Sequence, residues 1–413
     1  MNTSTQRRAT DWLAPLRSAL APVTGADLDA LNRFEDDLTC LLALYPVDAD
    51  VEPVLRSERL RHIRAAAAAS GHLSLAVPSR HGGSGRPAVI QALMQFICGY
   101  YDVDLRDTAG LGHGRLIAEY ASPEVRDQWL PQLLDGAIPG IAITEPHGGS
   151  QVHATRTRAT PSRDGTWTVT GKKTWISRLT EAAVFCLVFS GPDGKISIAA
   201  VDARSEGLTR VPLVPAGLSG WAWGELHLDN VRVGPDDIIG TPGTGMSLLR
   251  EHFAGYRPLV TATALGAGAG CHDRTVEALE TRRLSRNITS LRDNALITIG
   301  RSYAEINAAL LAACTTVTLA ESGSPLAARW GCAVKAYGVD AAYGAVSELA
   351  LLAGASGFVA GCATAKAVRD LNALLYADGI HDSLYRAAGR ALTAQAEDAI
   401  RVPPQKTPAL ASG

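Results

Sequence analysis

Reactive side chains are plentiful in this 413-residue chain, but few sit at a spacing that specifies a chemistry. The seven cysteines (Cys40, Cys98, Cys186, Cys271, Cys314, Cys332 and Cys362) are widely spaced and form no CxxC pair. This argues against a disulfide framework and a thiolate zinc site, and most read as small buried hydrophobes. His113, His147, His252 and His381 show no HExxH-type spacing, so no metal site is expected. His381 follows Asp378 by three residues, and histidine titrates near neutral pH. Asp378 directly precedes Gly379, and Asp-Gly is a turn signal. Taken alone, Thr144, Ser150 and Ser177 read as turn or strand-end hydroxyls, and Trp175 as core.

The composition bounds what can hold these residues. Apolar residues make up 46% and charged residues 19%, which excludes a disordered or fibrous chain. The net charge is −2, with no block of like charge, so neither nucleic acid nor a membrane surface is expected as a partner. No uninterrupted apolar run approaches the ~18–20 residues that span a bilayer. The start, MNTSTQRRATDWLAPL, lacks the apolar stretch of a secretory signal; its Ser/Thr/Arg content is weakly reminiscent of an organelle transit peptide, and a frayed tail is the reading preferred. A cytoplasmic location is the expectation.

Periodicity divides the chain into domains at 1–140, 141–240 and 241–400, with a tail at 401–413. In the first, Leu28, Leu31, Phe34, Leu38, Leu41 and Leu42 recur at spacings of mostly three and four, one face of a helix. Helices are also read over 61–70 and 89–101, and Ser122-Pro123-Glu124 opens another. In the second, residues 166–176 are rich in Thr, Trp and Val. Residues 183–189 and 195–201 flank the turn Gly191-Pro192-Asp193-Gly194 as a hairpin. In the third, long Ala/Leu-rich stretches at 246–280, 290–321, 325–353 and 362–376 read as a bundle.

This helix, strand, helix order accompanies six motifs: GIAITEPHGGSQV (140–152), GKKTWIS (171–177), LHLDNVRVGPDDIIG (226–240), VPSRHGGSG (77–85), SPEVRDQWLPQLLDG (122–136) and Arg369-Asp370. Together they resemble the acyl-CoA dehydrogenase family over almost the whole chain. The resemblance implies an α+β fold: an N-terminal helical domain, a middle β-barrel or sandwich domain and a C-terminal four-helix bundle. It also implies a flavin that takes a hydride from the β-carbon of an acyl thioester while a carboxylate takes the α-proton. On that reading Trp175 is a wall for the flavin ring, with Ile143, Thr144 and Ser177 beside it. Gly149 lets backbone approach closely, and Ser150 sits between flavin and acyl chain. Tyr256 and Arg257 then fall on the substrate side.

Three departures from the family pattern stand out. The base position aligns with Asp378 where the family usually has Glu, one methylene longer, and reach decides whether a base works. HFAGYRP (252–258) has Tyr256 where some relatives carry the base, and Ala254 where relatives often have an Asp contacting pantetheine. The segment that in relatives clamps the FAD pyrophosphate and adenine, partly from a neighbouring subunit, is ETRRLSRNITSLRDN (280–294). It offers Arg282, Arg283 and Arg292 as phosphate partners. Leu284, Leu351 and Ile380 replace family polar or aromatic residues and read on their own as core.

The resulting expectation is an FAD-dependent oxidoreductase that desaturates an acyl thioester on coenzyme A or a carrier protein, in a biosynthetic setting. Its electrons go to an acceptor flavoprotein or oxygen, and its assembly is a homodimer or homotetramer. The altered clamp leaves FMN, or no flavin, open. It also leaves open a flavin monooxygenase on this fold, and a flavin-free lyase, isomerase or catalytically silent homologue.

Overall fold

The computed structural model describes residues 7–13, 16 and 23–401. The first six residues, and the tail read at 401–413 apart from Arg401, lie outside the described residues. The N-terminal part holds α1 (Ala9–Leu13), α2 (Gly25–Leu44), α3 (Pro53–Ala69), α4 (Ala88–Tyr101), α5 (Arg115–Tyr120) and α6 (Pro123–Leu134). Helix starts follow side-chain chemistry. Thr24 and Asp27 cap each other's amides at the head of α2. Ser122 accepts from the Val125 amide and Pro123 takes the first helical position of α6. On α2 it is Leu31, Phe34 and Leu38 that are buried, while Leu28, Leu41 and Leu42 pack at the margin of the same core.

The middle part is one sheet: β1 (Ile138–Ala142), β2 (Arg158–Pro161), β3 (Trp167–Ser177), β4 (Ala182–Ser190), β5 (Ile196–Asp202), β6 (Leu208–Leu213) and β7 (Trp223–Val233). The strand order is β1-β4-β2-β3-β7-β6, with β5 paired to β4. The hairpin expected around residues 191–194 is the antiparallel β4–β5 pair. Strand β4 is apolar at every position from Val184 to Phe189 because both faces are covered. Val184, Cys186 and Val188 pack with Leu116, Ile117 and Trp129 of α5 and α6. Phe185, Leu187 and Phe189 pack inside the β domain with Val169, Leu226 and Val231.

The C-terminal part holds α7 (Gly245–Ser285), α8 (Asp293–Glu321), α9 (Ala327–Ala353), α10 (Ala363–Leu374) and α11 (His381–Arg401). The last extends helix beyond the stretches singled out in the sequence. Its first turns bury Leu384 and Ala388 against Cys332 and Ala336 of α9. Helices α4 and α7 cross with their backbones touching: a Cβ at Gly99 would stand 1.9 Å from the Thr263 carbonyl, and one at Gly266 2.0 Å from that of Phe96. By length and average composition α8 and α9 are long and apolar enough to span a bilayer, which a search for uninterrupted apolar runs does not detect; both pack against α7 and each other. All seven cysteines are free, and five of them are buried.

A buried ionic cluster ties the parts together. Lys366 of α10 donates to Asp102 (2.9 Å), Asp104 (3.0 Å) and Asp370. Arg56 of α3 pairs with Asp102 and Asp104. Asp370 also accepts from the Leu218 amide (2.7 Å) and Asp104 from the Gly220 amide (3.1 Å), which fixes the loop before β7. The three carboxylates lie close enough to share a metal ion, but the Lys366 ammonium already bonds to all three.

Candidate active site

Four segments converge on a cavity of about 1060 Å³: the loop after β1, the end of β3, the first half of α7 and the loop between α10 and α11. Each is held by an identifiable device.

The loop after β1 is pinned through Glu145, a buried carboxylate. It accepts from the Arg156 amide (2.7 Å), the Thr157 amide (2.9 Å), Lys173 Nζ (2.8 Å) and the Thr155 hydroxyl. Burial works against its charge, but these donors outweigh it and hold the carboxyl well below its ordinary range. Burial pulls the Lys173 ammonium down to about 8 against the attraction of Glu145. Lys173 also donates to the Ile143 carbonyl (3.0 Å), and the Thr174 amide to the Thr144 carbonyl (2.8 Å). The TEP and GKKTW motifs are therefore two halves of one clasp. A Cβ on Gly149 would come within 3.1 Å of Thr144, so a side chain there would crowd that residue.

At the end of β3 the ladder with β7 breaks register between Lys173 and Ile176. Trp175 and Arg178 both take left-handed backbone, at φ of 58° and 57°. A bulky residue held there is strained, and such strain collects at ligand sites. Trp175 is 62% exposed and lines the cavity, so it is not core. Arg178 donates to Asp107 through Nε (2.9 Å) and Nη2 (2.7 Å), and through Nη1 to Ser177 Oγ (2.7 Å). Guanidinium only donates, so Ser177 accepts there and keeps its own O–H to donate elsewhere.

On α7, Tyr256 is buried, with its ring 4.3 Å from that of His113 and stacked on His252 at 5.2 Å. His113 Nδ1 and His252 Nε2 are 3.0 Å apart, and burial pulls both rings well below their ordinary pKa. The Tyr256 phenol is pushed up by burial and by Asp378.

Asp378 also has left-handed backbone, at φ of 57°. Its carbonyl accepts from Arg257 Nε (3.0 Å), while Lys335 Nζ donates to the carbonyls of Leu374 (2.7 Å) and Gly379 (3.0 Å). Two cations thus hold the turn by its backbone. Among the described residues the Asp378 carboxylate itself has no hydrogen bond or ion pair, and it lines the cavity. Burial raises its pKa; Lys335, Arg178, Arg257 and Arg106 oppose that rise. The turn reading of Asp-Gly and the base reading are compatible, because the turn presents the carboxylate.

Ile143, Thr144, Gly149, Ser150, Trp175, Ser177, Tyr256, Arg257 and Asp378 all line this one cavity. Ser150 and Ser383 hydroxyls meet at 3.3 Å, bridging the loop after β1 to α11. Arg282 and Arg292 are not brought there. They are exposed, at the end of α7 and just before α8, because that turn lies away from the cavity lining. Arg283 is occupied by Glu280 and the Ile288 carbonyl. The core reading of Leu284, Leu351 and Ile380 fails: they are 62%, 80% and 41% exposed. His381 does not line the cavity; it pairs with Asp340 at 2.7 Å. Sequence reasoning missed Lys335 and Arg178. A lone Lys in the apolar run GCAVKAYGV is the signal for the first; nothing local marks the second.

The ring end of a flavin fits these residues. An exposed aromatic wall, a hydroxyl with a proton to give, and a clasped glycine loop meet at a cavity of adequate size.

Models of the acyl-CoA dehydrogenase N-terminal, middle and C-terminal domains match residues 44–137, 140–231 and 243–393. The chain is 27% identical over 338 residues to a probable acyl-CoA dehydrogenase, fadE25, of Mycobacterium leprae, covering 80% of this chain and 85% of that one. Its fold is similar to that of an acyl-CoA dehydrogenase from Geobacillus kaustophilus, with TM-score 0.80, 19% identity and coverage of 90% and 99%. It is also similar to the prolyl acyl carrier protein oxidase AnaB, with TM-score 0.75, 16% identity and coverage of 90% and 99%.

Proposed function

This chain belongs to the acyl-CoA dehydrogenase family, oxidoreductases acting on CH–CH bonds, and from that premise we propose that Asp378 is the base that removes the α-proton of an acyl thioester. FAD would supply the acceptor for the hydride that leaves the β-carbon. Trp175 would wall the ring, and Thr144 and Ser177 would hydrogen-bond to it.

The observation that carries this reading is the unpaired Asp378 carboxylate in the cavity, on a turn fixed by Arg257 and Lys335. A base needs a free lone pair and a fixed position, and it has both. The shorter side chain depends on where the backbone puts it, and Asp378 stands on a left-handed turn that lines the cavity. The same cations would stabilise the enolate charge that builds as the proton leaves.

The thioester arm points to a carrier protein rather than free coenzyme A. Support comes from Ala254, a buried methyl where many relatives place a pantetheine-binding Asp. A biosynthetic, cytoplasmic setting goes with that substrate, and an acceptor flavoprotein would take the electrons onward. Exposed Leu296, Ile297, Leu311, Trp330 and Tyr337 on α8 and α9 suit burial against a second copy. In such an assembly Arg282 and Arg292 are available to the far end of the neighbouring cofactor.

The test is Asp378→Asn. It should retain the visible flavin spectrum and lose at least about a hundredfold in turnover, the lower bound for a positioned base. Full activity would sink the assignment.

A further inference from the structure

The buried part of the cavity is polar where α4, α7 and the segment 103–108 meet: Gln95, Arg106, His113, Arg178, Tyr256 and Thr263 line it. Most of these groups are spent. Gln95 donates to the carbonyls of Arg106 (2.7 Å) and Ala109 (2.9 Å) and accepts from Thr263 (2.8 Å). His113 is paired with His252, and Arg178 with Asp107 and Ser177.

Two donors remain. Among the described residues the Tyr256 hydroxyl makes no hydrogen bond. Arg106 uses only Nη1, on the Val103 carbonyl (3.2 Å) and on Asp104 (3.3 Å), leaving Nε and Nη2 without a protein acceptor. Neither group is sealed inside protein, so both open onto the cavity. An alkyl chain lying against them would strip their water and offer nothing back. A cationic acyl group would meet Arg106, Arg178 and Arg257.

We propose that the acyl group carries a hydrogen-bond-accepting oxygen beyond its β-carbon, received by the Tyr256 hydroxyl and the Nε and Nη2 of Arg106. This rests on the acyl-thioester reading above. The oxygen belongs either to a carboxylate or to a neutral carbonyl or hydroxyl, since both offer lone pairs to the same donors.

The probes are three pantetheine thioesters of matched length: pentanoyl, levulinoyl and glutaryl. Their binding to the flavin-loaded protein is measured by calorimetry, and bleaching of the flavin band is followed in parallel. An oxygenated acyl group should bind about tenfold more tightly than pentanoyl, the worth of one well-made charged hydrogen bond. A preference for glutaryl alone assigns a carboxylate; equal preference for levulinoyl assigns a neutral oxygen. Tyr256→Phe and Arg106→Gln should each remove most of the preference. Tyr256→Phe deletes an atom with no partner, so its thermal unfolding should match the parent. Equal or tighter binding of pentanoyl, a preference intact in both variants, or no binding of any probe overturns the inference. Bleaching without a preference keeps the proposed function and discards this inference; a preference without bleaching does the reverse.

Discussion

Arg257 Nε donates to the main-chain carbonyl of Asp378 at 3.0 Å, so the residue proposed as base is held through its backbone and not through its carboxylate. Lys335 does the same from α9, bonding the carbonyls before and after it, at Leu374 and Gly379. A direct ion pair would consume the lone pairs a base needs. Gripping the peptide leaves them free.

Lys335 should therefore act as a positioning residue. Lys335→Met keeps the volume and removes two charged hydrogen bonds, each worth roughly 1.5–3 kcal/mol. Turnover should fall at least about tenfold with little change in KM, since misplacement by a fraction of an ångström weakens proton transfer. Lys335 also holds the Asp378 pKa down, so the acidic limb of the kcat/KM profile should move to higher pH. An unmoved limb would reduce Lys335 to a structural role.

Asp378 should cost stability at neutral pH. Its pKa in the fold is raised, chiefly by burial, so the fold favours the protonated form. The stability this contributes is full below the unfolded carboxylate pKa of ~3.9 and is lost as pH rises through the folded value. Asp378→Asn, which cannot ionise, should unfold at a higher temperature than the parent at pH 7. The gap should close as pH falls toward the unfolded value. Thermal scans across that range check the sign.

Glu145→Gln should undo the clasp between the loop after β1 and β3. Lys173 would be left buried without its counter-charge, a loss of roughly 3–5 kcal/mol for a broken buried pair. Because Lys173 also holds the Ile143 carbonyl, flavin affinity should fall together with stability. Titration of the flavin into apoprotein, beside chemical unfolding, reads both. Reduced stability with undiminished flavin affinity would separate the clasp from the site.

Much of the fold was legible because its signals are local. Ser122-Pro123 starts a helix and the turn at 191–194 closes a hairpin through side-chain and backbone chemistry within a few residues. Thr144, Trp175 and Ser177 were singled out through the family resemblance of their motifs, and all three line one cavity. What holds them was not legible. Glu145 meets Lys173 across 28 residues, Arg178 meets Asp107 across 71, and Lys335 meets Gly379 across 44. Such pairings depend on how sheet and helices stack. Leu284, Leu351 and Ile380 misled for the opposite reason: residue type suggests core, but each sits on a turn or helix face that this chain leaves open.

The cluster of Asp102, Asp104 and Asp370 around Lys366 gives the last prediction. Lys366 donates to all three carboxylates, and Arg56 pairs with two of them. Lys366→Met would leave three carboxylates, two of them buried, facing only Arg56 and Arg106, so the variant should be destabilised by roughly 3–5 kcal/mol at neutral pH. Burial, outweighing Lys366, raises Asp370 to about 6 even with the lysine present, so losing it should push that carboxyl higher still. The variant should then regain stability relative to the parent as pH falls and Asp370 takes up a proton. The three carboxylate oxygens lie within 4.8 Å of one another, close enough to ligate a single ion. Added Ca²⁺ should therefore raise the unfolding temperature of Lys366→Met and leave the parent unchanged, because binding to the folded state alone shifts the equilibrium toward it. An equal response in both proteins would place the Ca²⁺ elsewhere on the surface, and no response would mean that Arg56 and Arg106 satisfy the cluster without the lysine.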